Sequence, residues 1–277
     1  MLTDNEIQRF RITVYGYFDA HGRDLPWRRT TDPYHILVSE IMLQQTQVNR
    51  VEVKFVEFTE RFPDIQSLDA APLKDVLETW QGLGYNRRAL ALKNAAHMIV
   101  EEYGGEVPRT AEDLTTLPGI GHATAAAICA YAFNEPVVYI ETNIRTVFIH
   151  TFFDDSTTVS DKNILPLVER TLDRDNPRRW YSALMDYGVM LKAKHGNPGK
   201  RSAHYTKQGA FHGSDRQVRG ALLKLLVAEG PSSGSNAADK LGFDPERVAR
   251  ILNNLEREAF VTEHDGVFSI RDESSEG

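Results

Sequence analysis

The 277-residue sequence predicts a mainly α fold that closes in a small winged-helix domain. Three observations lead there. Apolar residues recur at helical spacing through the first 190 residues. A Leu117-Pro118-Gly119-Ile120-Gly121 turn separates two of those helical patterns. From Asp215 onward the order helix, loop, short helix, helix and alternating hairpin replaces them.

Each element carries its own signal. Asn5 to Ala20 places Ile7, Phe10, Val14, Tyr17 and Phe18 on one face. Arg23 to Arg29 follows as a basic and aromatic loop, in which Trp27 is either a core anchor or a plate for base stacking. Tyr34 to Val48 is apolar nearly all round and should be a buried helix, with Gln44, Gln45 and Thr46 as a hydrogen-bonding patch at its end. Glu40 inside that helix is costly unless it is paired with a loop arginine or faces a cavity, where burial would raise its pKa and suit it to act as a general acid. Helices are expected over Val51 to Phe62, Pro72 to Trp80 and from the Gly82 to Arg88 loop to Tyr103, ended by Gly104-Gly105. Tyr85 in that loop either packs or stacks into DNA, with Arg87 and Arg88 at phosphates. Thr110 to Asp113 reads as a capping box.

In the turn, Gly119 and Gly121 permit backbone angles closed to other residues and leave amides uncovered for an anion at the next helix start. Glu141 stands where an apolar segment meets the helix from Asn143 to Phe152. An acidic residue there is a helix cap or a catalyst, and Thr142 offers an alternative cap. Asn176-Pro177 opens a further helix through Leu191, with the asparagine as cap. From Lys192 to Arg219, seven lysines and arginines oppose Asp215 alone, inside a chain whose formal charge is -7. That local reversal marks a connector suited to a DNA backbone, although a polar linker has the same composition. In the last segment Arg247, Arg250, Asn253 and Asn254 face either DNA or solvent. The single cysteine, Cys129, excludes an intramolecular disulfide and an all-cysteine metal site. The first residues have no signal-peptide pattern and no apolar run is long enough to span a bilayer, so the expected setting is cytoplasmic.

Leu25-Pro26-Trp27-Arg28 together with Val38 to Val48, and Leu117 to Ile128 beyond it, resemble the helix-hairpin-helix (HhH-GPD) DNA glycosylases, and among them the A/G-specific adenine glycosylases of the MutY type. The likeness covers roughly residues 5 to 191. It implies a two-lobed helix-hairpin-helix core over 1–191, a basic connector over 192–214 and a winged-helix domain over 215–277. It also implies removal of a mispaired base from double-stranded DNA by a monomer, adenine first, with uracil, thymine or a damaged base as the alternative. A non-catalytic DNA-binding winged-helix protein is the reading from another class. By resemblance Glu40 protonates the leaving base, Glu141 stabilises the sugar cation, and Gln45 wedges into the duplex. Trp27, Arg28, Gln44 and Thr46 line the base or duplex, Tyr85 and Arg87 contact DNA, Gly119, Gly121, His122 and Thr124 grip a phosphate, and Asn143 orients the carboxylate or binds phosphate. The chain departs from the pattern at four places. Ala123 stands where bifunctional relatives have a lysine, so base removal should use water. Glu141 replaces an aspartate, and Tyr85-Asn86 looks more like endonuclease III. Lys192, Gly199, Ser202 and Gln208 occupy the positions of four cluster cysteines, so no iron–sulfur cluster and no other cofactor is expected.

Overall fold

The computed structural model describes residues 2–154, 158–207 and 209–271. Among these the chain is helical apart from one three-stranded sheet. The helices are α1 (Asp4–His21), α2 (Pro33–Leu43), α3 (Val48–Arg61), α4 (Ile65–Ala70), α5 (Leu73–Thr79), α6 (Arg87–Tyr103), α7 (Ala111–Thr116), α8 (His122–Phe133), α9 (Thr142–Phe152), α10 (Asp161–Thr171) and α11 (Pro177–His195). After them come α12 (Asp215–Glu229), β1 (Ser232–Ser233), α13 (Gly234–Leu241), α14 (Pro245–Arg257), β2 (Val261–His264) and β3 (Val267–Ile270). No described helix is long and apolar enough to cross a membrane. Packing divides the chain into two compact units, one gathering 1–40, 109–116 and 120–207, the other 41–108, 117–119 and 208–277.

In the first unit α9 and α11 pack side by side, with α1 laid across α11. The stripe expected on α1 delivers Phe10 into an edge-to-face cluster with Phe148, Phe152 and Trp180. Such a cluster stabilises through apolar area and through ring geometry, the latter worth about 0.5–1.5 kcal/mol per pair. Thr3 caps α1 in a reciprocal box with Glu6. Two glycines set the spacing around α9. A Cβ on Gly188 of α11 would lie 2.7 Å from the Asn143 carbonyl oxygen, and one on Gly199, in the Pro198–Arg201 turn, 2.9 Å from Thr146 Oγ1. The backbones therefore approach more closely than any larger residue would allow. Asn176, expected to cap α11, makes no side-chain cap bond, although Pro177 does occupy its first turn.

The second unit is built on α3 to α6 around Phe58, Phe62 and Trp80, and α12 packs on α5. Helix α4, capped by Asp64 on the Ser67 amide, was not anticipated. Strand β1 was not anticipated either, because two serines carry no apolar alternation. It completes a β1-β3-β2 sheet with the expected hairpin, which turns at Asp265 and Gly266, both at positive φ. The first hairpin strand begins at Val261. Residues 258–260 form the turn that follows α14, with Ala259 at φ 60° and the Phe260 amide returned to the Leu255 carbonyl.

Candidate active site

The long apolar helix expected to reach Val48 stops at Leu43, because Gln45 takes a φ of 57°. The cause is Arg88, a buried arginine in the first turn of α6. Its guanidinium donates to the carbonyls of Ile41, Met42 and Gln44, at 2.9, 2.8 and 2.6 Å, and to those of Leu83 and Gly84, at 3.2 and 3.0 Å. Thr46 Oγ1 accepts a further bond at 2.9 Å. One cation thus satisfies the open carbonyls at the end of α2 and those of the glycine-rich loop. Burial brings its pKa down to about 10. Two non-glycine residues at positive φ, Gln45 and Tyr85 at 48°, stand beside the carbonyls it holds. Gln45 is exposed, whereas Gln44 Nε2 donates to the Gly119 carbonyl at 3.3 Å.

Arg88 and Arg87, read from sequence as phosphate contacts, are engaged internally. Arg87 forms a two-pronged pair with Glu258, shared with Arg219, and keeps a side chain 74% exposed. Tyr85 Oη accepts from Arg216 at 2.9 Å. Arg247 and Arg250 pair with Asp215, and Asn254 accepts from Arg257. In the connector, Lys192 donates to Asn143, and Arg201 donates to the Ile149 and Phe153 carbonyls at the end of α9. Several of the cations that reverse the local charge are therefore structural donors; Lys194, Lys200 and Lys207 remain exposed. Gln208 lies outside the described residues.

The Gly119 to Thr124 turn has the expected opening. Gly119 adopts φ 77° and a Cβ there would meet Ala91 at 2.7 Å. Gly121, by contrast, has an ordinary φ of -90° and caps α8 without any side-chain bond. Gly121, His122 and Ala123 are exposed and Thr124 is half-buried, which leaves the first amides of α8 facing outward.

Two carboxylates of the first unit come within electrostatic reach of each other. Glu40 is half-buried, and among the described residues its carboxyl has no hydrogen-bond partner. The salt bridge to a loop arginine that offered the bland explanation is not formed. Arg28 instead pairs with Asp186 through two bonds of 2.8 and 2.9 Å, and Arg23 joins them at 2.7 Å. Burial first, and the charge of Glu141 second, push the Glu40 carboxyl up to about 8, while Arg28 opposes them. Trp27 is buried in the same turn, as a core anchor would be. Tyr131 and Tyr139 also sense Glu40, and burial raises both phenols above their ordinary range.

Glu141 is itself the cap of α9, displacing Thr142 from that role. Its Oε1 accepts the Asn143 amide at 2.5 Å and the Ile144 amide at 2.9 Å. Capping and chemistry do not compete here, since one oxygen takes both amides and the second makes no bond among the described residues. Burial raises this carboxyl too, opposed by the two amides, Lys192 and Arg145. Asn143 donates to Met185 Sδ at 3.7 Å and accepts from Lys192 Nζ at 2.7 Å.

Asp186 was not singled out in the sequence, and Lys192 and Arg88 were singled out there only as DNA-backbone contacts or a replaced cluster position, not as the internal donors they are. Asp186 could have been found by the reasoning applied to Glu40, since it is a carboxylate inside an apolar helical stretch and its side chain is 2% exposed. The residues present do not fit a four-cysteine iron–sulfur cluster. The one cysteine, Cys129, is buried in α8 with its thiol on the Arg109 carbonyl at 3.4 Å.

The site thus consists of a helical hairpin with outward-facing amides and two acidic groups within electrostatic reach of each other. Residues 38–170 match the model of the HhH-GPD superfamily base excision DNA repair proteins. The adenine DNA glycosylase of Mycolicibacterium smegmatis is 33% identical over 287 residues, covering 96% of this chain and 97% of that one. The adenine DNA glycosylase of Homo sapiens is 35% identical over 198 residues, covering 67% of this chain and 36% of its own length. The structure of a thermostable thymine-DNA glycosylase matches with a TM-score of 0.60 at 26% identity, over 68% of this chain and 88% of that one. The chain belongs to the adenine DNA glycosylase family.

Proposed function

We propose that this enzyme hydrolyses the N-glycosidic bond of a mispaired adenine in double-stranded DNA, acting as a monofunctional glycosylase. The observation that carries the reading is the unequal pair of acids. Glu40, without a bonded partner and with its pKa raised to about 8, holds a proton near neutrality and can deliver it to the leaving purine. Glu141, anchored through one oxygen, presents the other to positive charge developing on the deoxyribose. Ala123 supplies no amine, so water completes the reaction and an intact abasic site remains. The target nucleotide is flipped from the stack at a cost of a few kcal/mol, which a mispair lowers. Exposed Gln45 is suited to fill the vacated space, and the α8 amides to hold a phosphate. The segment from Asp215 adds a winged-helix module to this core.

A second reading, removal of uracil or thymine from a mismatch, is favoured by the likeness to the thymine-DNA glycosylase. Duplexes carrying one lesion each, treated with alkali after incubation, separate the two. Strand scission is expected at adenine opposite guanine or oxidised guanine, and only with alkali. Scission confined to uracil or thymine discards the adenine assignment, and scission without alkali discards the monofunctional one.

A further inference from the structure

Helix α11 grips Asn143 along a single face. Met185, Gly188 and Lys192 follow one another at three- and four-residue steps and therefore share that face. Gly188 brings the backbone so close that an added Cβ would lie 2.8 Å from the Asn143 Cβ. On one side of this contact Met185 Sδ accepts from Asn143 Nδ2 at 3.7 Å, and on the other Lys192 Nζ donates to Asn143 Oδ1 at 2.7 Å. The backbone N–H of the same residue donates to Glu141 Oε1 at 2.5 Å. The asparagine thus has a fixed rotamer, with its oxygen assigned to the lysine and its nitrogen to the sulfur.

The charge around it is lopsided. Arg145, the other cation near Glu141, is bound by Asp161 through two bonds of 2.7 Å. Lys192 is half-buried, and among the described residues no carboxylate pairs with it directly. Its nearest compensation is the attraction to Glu141, set against burial and the repulsion of Arg145. An ammonium held out of water by a neutral amide, with a carboxylate just beyond, acts on that carboxylate more strongly than an exposed lysine would.

We propose that Lys192 is a positioning residue for base excision: through Asn143 it fixes the Glu141 carboxylate at the start of α9 and places an uncancelled positive charge behind it. The inference rests on the glycosylase reading above, in which the free oxygen of Glu141 must meet the sugar. The lysine touches neither base nor sugar in this role; it acts on Glu141 through the asparagine contact and through its charge.

The test is single-turnover base release from an adenine-mismatch duplex by the full chain, with Lys192→Met, Lys192→Arg, Asn143→Ala and the Asn143→Ala/Lys192→Met double variant. Lys192→Met is expected to slow release on the order of tenfold to 100-fold, the scale of a small displacement of a reacting group. Duplex affinity should stay within a factor of about two, and Lys192→Arg should recover most of the rate. The double variant should lose less than the product of the two single losses, because the share of the lysine's effect carried by the asparagine is already gone in Asn143→Ala. In the free protein, Lys192→Met should also move the side-chain amide resonances of Asn143. A Lys192→Met enzyme as fast as wild type overturns the proposal, as does loss that arginine does not recover and that adds to Asn143→Ala. If thermal melting shows Lys192→Met unfolded, Lys192→Gln replaces it under the same criteria. Wild-type protein that releases no base from any duplex refutes the glycosylase reading itself, and unmoved Asn143 resonances refute the contact independently.

Discussion

The end of α2 and the start of α9 each present one glutamate, and the two are supported in opposite ways. Around Glu40 the protein has withdrawn hydrogen-bond donors. The nearest guanidinium, Arg28, is committed to Asp186, and the carboxyl is left with burial and the repulsion of Glu141. Around Glu141 donors have been added, with two amides on one oxygen and Lys192 and Arg145 behind them. A carboxyl deprived of donors keeps its proton, and one supplied with them gives it up more readily. The proposed division of labour between acid and charge stabiliser therefore rests on the neighbours rather than on the residue type, which is identical at both positions.

The largest effects should come from removing either charge-bearing group. Glu40→Gln takes away the proton donor and should slow single-turnover release by about 10²–10⁴-fold, with duplex binding retained. Glu141→Gln keeps one oxygen to accept the α9 amides but cannot carry the negative charge, and a loss of about 10²–10³-fold is expected. The contrast breaks if the two variants respond alike to pH. In the wild type the rate should fall as pH rises past about 8, in Glu141→Gln that alkaline limb should lie lower because a charge raising Glu40 is gone, and in Glu40→Gln it should be absent.

How much of this could be read in advance depends on how local the signal is. Glu40 in an apolar helix, the glycine-rich turn and the carboxylate before α9 are patterns within a dozen residues, and resemblance to a known signature joined them. The partners that distinguish the two glutamates lie far along the chain. Asp186 is 158 residues from Arg28, and Lys192 is 49 from Asn143. Such pairings leave no periodicity or spacing to detect. Gly188 was passed over for a similar reason, since a glycine inside a helix shows its purpose only when the facing backbone is known. Arg88 shows the converse error. A basic residue after an exposed-looking loop suggests phosphate, but six acceptors within the protein, five of them carbonyls, already surround its guanidinium.

An intermediate effect is expected where the support of Glu40 is altered without touching it. Asp186→Asn removes the carboxylate that neutralises Arg28 and Arg23, so the Glu40 carboxyl faces a guanidinium whose charge is no longer cancelled. Uncancelled positive charge favours the ionised acid, and the alkaline limb of the rate profile should move to lower pH by up to about one unit. The same variant should lower thermal stability, since it leaves half-buried cations short of a partner. An alkaline limb that stays in place would mean that Arg28 and Asp186 hold the loop but do not tune the acid.

The smallest expected effect separates burial from chemistry at Glu40. The folded protein holds this carboxyl at about 8, against the ordinary 4.5 that it regains on unfolding. Between those values the folded state retains a proton that the unfolded state has lost, so the stability Glu40 contributes is complete below about 4.5 and declines as pH rises to about 8, then levels. Glutamine cannot ionise and escapes that decline. The thermal midpoint of Glu40→Gln should therefore draw level with wild type near pH 5 and exceed it progressively toward pH 8, by on the order of a few degrees for a chain of this size. The acid would then be a residue whose placement costs stability at working pH, as expected of a group kept for reactivity. Midpoints that run parallel across the range would place Glu40 in water with an unshifted carboxyl, and the asymmetry between the two glutamates would have to arise at Glu141 alone.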